Sequence, residues 1–94
     1  MQVRWSGKAL LNLDDAVEYL AADNPTMAAE VAQRIWNAAQ QLADQPGMGR
    51  PGRVAGTREL VISGLPYILP YVEEGTAVII LRAMHASMKW PKKF

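Results

Sequence analysis

Five residues in the second half of this chain have side chains suited to handling a phosphate or moving a proton: Arg50, Arg53, Arg58, Arg82 and His85. An arginine fork can grip a phosphate through two parallel hydrogen bonds. Histidine exchanges protons near neutral pH. Such a set can hold RNA and cleave it by acid–base chemistry, or it can bind an acidic protein. It can also be purely structural, with Arg58 paired to a helix carboxylate and His85 closing a strand through a satisfied hydrogen bond. Spacing alone leaves all three readings open.

Other chemistries have no residues to carry them. There is no cysteine and only one histidine, so thiolate zinc sites, multi-histidine metal clusters, cysteine nucleophiles and disulfides are excluded. Gly47-Met48-Gly49 lacks the strand-to-helix context of a phosphate loop. Ser6, Ser63 and Ser87 lie in no nucleophile-elbow pattern. The adjacent Asp14 and Asp15 point different ways on a helix, which reads as solvated surface and not as a catalytic pair. No metal and no cofactor is expected.

Charge is unevenly distributed. Residues 1–44 hold three basic against six acidic residues, net −3. Residues 45–94 hold seven basic against three acidic, net +4. A basic second half suits an anionic partner. The first residues hold no long apolar run, which speaks against a signal peptide. No stretch approaches a membrane span. A cytoplasmic protein is the expectation.

The elements that must position these residues follow from periodicity. Val3 and Trp5 alternate with Gln2 and Arg4, giving a short opening strand. Ser6 can cap a helix whose apolar stripe runs Leu10, Leu13, Val17, Leu20. Asn24 caps a second helix with Pro25 in its first turn and a stripe of Met27, Val31, Ile35, Ala38 and Leu42. The short connection folds the two helices back as an antiparallel hairpin. Trp36 stands one position off the stripe and is expected to be partly exposed. Residues 45–56 hold too many glycines and prolines for a regular element. Three strands follow, with turns near Gly64 and at Glu74-Gly75, as an antiparallel meander. Pro70 falls inside the middle strand, where a missing N–H would break the ladder, so a bulge is expected there. The tail Trp90-Pro91-Lys92-Lys93-Phe94 reads as polar and loosely held. The fold expected over residues 1–94 is a single α+β domain of order β-α-α-β-β-β. A helical hairpin covers one face of a small antiparallel sheet.

The residues also resemble a known family. Trp5-Ser6, Ala9, Leu13-Asp14-Asp15, Tyr19-Leu20-Ala21 and Asp23-Asn24-Pro25 look like the opening of RelE/ParE toxins. Pro46-Gly47-Met48-Gly49-Arg50-Pro51-Gly52-Arg53-Val54 and Gly56-Thr57-Arg58-Glu59-Leu60 resemble their central loop and next strand. Tyr67-Ile68-Leu69 with Tyr71, then Ile80-Leu81-Arg82 with His85 and Trp90-Pro91, resemble their end.

The resemblance implies a cytoplasmic toxin of a bacterial toxin–antitoxin pair. It implies a protein antitoxin whose tail wraps the toxin, and it leaves a homo-oligomer possible. Some family members are ribosome-dependent endoribonucleases acting on mRNA, and others inhibit DNA gyrase. The same fold can also serve as a non-toxic interaction module. Ribonuclease members place an arginine on the middle strand directly after an aromatic or histidine. Here Ile68 follows Tyr67 at that position, and Ala86, Ser87 and Met88 stand where further basic or Tyr groups are usual. The gyrase branch is therefore preferred. Under the ribonuclease alternative, Arg58, Arg82 and His85 are the catalytic residues. Under either, Arg50, Arg53, Arg58, Trp36 and Trp90 are candidate contacts for target or antitoxin, with Met27 as a further apolar anchor.

Overall fold

The computed structural model describes residues 1–94. Strand β1 (Gln2–Trp5) leads into helix α1 (Gly7–Ala21) and helix α2 (Pro25–Gln40), which ends in a 3₁₀ turn at Gln41–Ala43. Strands β2 (Arg50–Pro51), β3 (Arg58–Val61), β4 (Tyr67–Glu74), β5 (Ala77–Ile80) and β6 (Met84–His85) follow. The helices cover one face of the sheet, so the α+β architecture is as expected.

Local signals place the helix ends correctly. The Ser6 Oγ accepts from Ala9 N–H at 3.0 Å, and the Asn24 Oδ1 accepts from Met27 N–H at 3.0 Å. Both satisfy N–H groups that have no partner inside the helix. The stripes hold at Leu13, Leu20, Val31, Ile35 and Leu42 but shift by one residue at the first member of each. Leu10 and Met27 are exposed, whereas Ala9 and Ala28 are buried. Alanine occupies these inward positions because its small side chain allows close approach between packed elements.

The sheet departs from a pure meander. Its order is β1-β5-β4-β3-β2, and β1 pairs parallel with β5. The sheet is therefore mixed and not wholly antiparallel. The hairpin connection between β1 and the sheet is long enough to permit this parallel return. The glycine- and proline-rich loop is also not wholly irregular, because Arg50 and Pro51 pair with Glu59 and Arg58. Gly64 and Gly75 take φ of +75° and +62° in the two hairpin turns, a region that favours glycine.

Pro70 lies inside β4 opposite Glu59 of β3. The irregularity it demands is in the neighbouring strand line. β4 pairs with β5 at Tyr71↔Ile80 and with β6 at Ile68↔Met84. Two β4 residues, Leu69 and Pro70, thus face three residues, Leu81, Arg82 and Ala83. The Pro70 carbonyl accepts from Leu81 N–H at 2.9 Å. Its nitrogen points toward the same interruption, where no ladder donor is required. The expected bulge exists, but on the partner of β4.

Tyr67, Leu69 and Tyr71 of β4 and Val78 and Ile80 of β5 point toward the helices and pack with Val31, Ile35 and Leu42. The other face carries Glu59, Ile68 and Pro70, which are also buried. The tail partly covers that side, contrary to the loose tail expected. Trp90 stacks under the Arg53 guanidinium, 3.9 Å from ring centroid to Cζ, and meets Phe94 edge-on.

Candidate functional site

The fold gathers four of the five candidate residues at two places and leaves the fifth, Arg82, apart from both. Arg50, Arg53 and Arg58 gather at the β2–β3 end of the sheet. His85 lies on β6 beside α1. Arg82 sits in the interruption between β5 and β6, half-buried, and lines neither surface groove.

At the first place the organising group is Glu59, only 2% exposed. Its Oε1 meets Arg50 Nε at 3.0 Å and NH2 at 2.9 Å. Its Oε2 accepts from the Arg53 N–H at 2.8 Å and from Arg53 Nε at 3.3 Å. Burial pushes the Glu59 carboxyl up, but the Arg53 backbone bond and both guanidinium groups outweigh it. The net shift is below the ordinary 4.5. Arg50 and Arg53 are thus committed inward on one side and half-exposed on the other.

Arg58 does not pair with a helix carboxylate; its NH1 donates to the Gly49 carbonyl at 2.9 Å. Gly49 itself is held by Tyr71, whose hydroxyl accepts from Gly49 N–H at 2.9 Å and donates to the Pro46 carbonyl at 2.7 Å. Burial raises the Tyr71 phenol, with the Gly49 bond and Arg58 opposing. Tyr71 is a structural clasp and is not poised to act as a base.

At the second place His85 does end a strand with a satisfied bond. Its Nδ1 accepts from Ser87 N–H at 3.1 Å and lies 2.7 Å from Ser87 Oγ. The Ser87 N–H bond leaves Nε2 as the protonated nitrogen of the neutral ring. His85 opens into a groove of about 260 Å³ lined by Asn12, Asp15, Ala16, Tyr19, Tyr67, Ala83, His85 and Met88. No arginine or lysine lines it.

Of the apolar candidates, Trp36 is 40% exposed and lies flat on Trp5, with centroids 5.5 Å apart. Met27 is also exposed. Trp90 is half-buried against Arg53. Sequence reasoning passed over Glu59, Tyr71 and the Asn12–Asp15–Tyr19 face. A lone acid opening the apolar run Leu60-Val61-Ile62 was the available signal for Glu59. No cluster of His, Asp or Glu suited to a metal ion is present. No helix is long and apolar enough to cross a membrane.

A family model described as "ParE toxin of type II toxin-antitoxin system, parDE" matches residues 3–90. The chain belongs to the RelE/ParE toxin family. Both candidate places fall inside that match. A relative from Sinorhizobium fredii, called "Putative toxin Y4kP", is 45% identical over 91 residues, 97% of this chain and 94% of its own. "Toxin RelE2" of Caulobacter vibrioides is 36% identical over 92% of this chain and 96% of its own. A solved structure described as "Chromosomal ParDE TA system from P. aeruginosa" superposes with a TM-score of 0.83 at 28% identity, covering 90% of this chain and 95% of that one. The helical hairpin on a sheet is therefore the family's architecture.

Proposed function

We propose that this chain is the toxin of a type II pair, neutralised by a protein antitoxin, and that its target is DNA gyrase. One observation carries the choice of target. The groove at His85 has a carboxylate, Asp15, and no arginine or lysine. Phosphoryl chemistry needs cationic groups around the developing charge, and a carboxylate there repels RNA. Arg58 is turned to the Gly49 carbonyl. Ile68, at the position where ribonuclease relatives carry arginine, is 6% exposed. These features support a toxin that acts by binding.

Expressed alone, the protein is expected to arrest bacterial growth, with relief by its co-expressed antitoxin. Purified protein is expected to block supercoiling by gyrase and to leave mRNA intact in a translating extract. Codon-positioned cuts that disappear in His85→Ala would instead establish the ribonuclease alternative.

For the antitoxin, the outward sides of Arg50 and Arg53 can attract an acidic segment, and the exposed Trp36 face offers an apolar anchor. Trp36→Ala is expected to weaken antitoxin binding by about 2 kcal/mol, in the range of aromatic anchors. Calorimetric titration checks this; an unchanged Kd removes Trp36 from the interface.

A further inference from the structure

The groove beside His85 has features that the gyrase reading does not use. Tyr67 is only 8% exposed, yet its hydroxyl finds no partner within the chain. That oxygen is not itself sealed from solvent, so it reaches the groove and stays open to a ligand donor. Its ring is fixed edge-on against His85, centroids 5.4 Å apart, and both line the groove. Tyr19 faces it from α1 and is 80% exposed, a large aromatic surface left in water.

Asp15 precedes Tyr19 by four residues and so stands on the same helix face. It forms no ion pair; the two ion pairs of the molecule both belong to Glu59. Asp14 and Glu18 are also exposed on α1 but do not line the groove. Asn12 has its Oδ1 occupied by the Ala83 N–H at 3.2 Å, which fixes the groove floor.

We infer that this groove binds the guanidinium of an arginine presented by a partner protein. The groove supplies what that group requires. Its walls are aromatic, on which a planar cation stacks. It has an unpaired carboxylate to take the fork and, at the end of the largely buried Tyr67 side chain, a phenol oxygen free to accept a further N–H. A phosphate or carboxylate ligand meets repulsion from Asp15, and an uncharged apolar ligand leaves the Tyr67 hydroxyl unpaired. The inference is independent of which target the toxin attacks.

The test uses the full chain and a blocked tripeptide, acetyl-Ala-Arg-Ala-amide. Its controls carry citrulline, the uncharged isostere, or lysine in place of arginine. Binding is followed by NMR through the ring resonances of Tyr19, Tyr67 and His85. The arginine peptide is expected to saturate with a Kd of about 1 mM, the strength of a single side-chain contact. The citrulline peptide should bind about tenfold more weakly, since it lacks both the ion pair and the cation–π contact. Asp15→Asn, on an exposed helix position, is expected to cost about threefold in arginine affinity. Tyr67→Phe, which keeps the ring, should also weaken binding and shows whether the hydroxyl takes part. Equal binding of citrulline, equal binding of lysine, or an Asp15→Asn protein indistinguishable from wild type each overturn the assignment. So does the absence of any saturable shift.

Discussion

Replacing Arg50 and Arg53 together by alanine is expected to lower the free energy of unfolding by about 3 kcal/mol at neutral pH. The cause is a carboxylate left inside the protein without its cations. Glu59 is 2% exposed and would keep only the Arg53 backbone N–H. For a domain of this size the loss corresponds to a fall in Tm on the order of 12 °C or more.

The pH dependence should also change sign. In the wild type the folded carboxyl lies below 4.5. Its contribution is therefore fully present above that value and is lost only as pH falls through the folded value. In the double variant the burial effect dominates and lifts the carboxyl above 4.5. The folded state then binds the proton more tightly than the unfolded state, so the variant gains stability as pH falls from neutral toward 4.5. Urea denaturation at neutral pH and near pH 5 measures both effects. A loss under about 1 kcal/mol, the value of an exposed pair, would show that solvent screens Glu59 well enough without the arginines.

Removal of the Tyr71 side chain is expected to cost about 3–5 kcal/mol, as for other large core aromatics. Tyr71 is fully buried in the centre of β4. It does two jobs, filling the core and fastening the loop before β2 through Pro46 and Gly49. Tyr71→Phe separates them, and its expected cost is about 1–3 kcal/mol, from the buried Gly49 N–H left unpaired. The phenylalanine variant should also mobilise residues 46–53, and with them the surface presentation of Arg50 and Arg53. Amide exchange of that segment, read beside global unfolding, distinguishes a loosened loop from a weakened core. Gly49 is part of the same fit, because a Cβ there would stand 2.6 Å from the Tyr71 hydroxyl.

The features legible in the sequence were those fixed by neighbours along the chain. Ser6, Asn24 and Pro25 mark helix starts because each acts on N–H groups within three residues. Gly64 and Gly75 mark turns because only their own backbone is involved. Apolar periodicity found both helices but chose Leu10 and Met27 over Ala9 and Ala28, since hydrophobicity favours large side chains where close packing favours small ones.

The candidate site was less legible for a related reason. Arg50 and Arg53 read as free cations because their partner, Glu59, meets them only after the loop folds back across β3. His85 and the arginines of residues 50–58 form one group in sequence and two in space, because strand order separates the ends of the sheet. Even Pro70, correctly singled out, exerted its effect on a strand eleven or more residues away.

The parallel pairing of β1 with β5 sets a schedule for biosynthesis. Gln2 registers with Ala77, so the first strand made must wait for one of the last. At roughly 5–20 residues per second, the interval is about 4–15 s. Throughout that time β1 has no sheet to join, and the helical hairpin has only an incomplete surface to cover. The native toxin fold therefore becomes available in one late step, after the ribosome making it has passed residue 80.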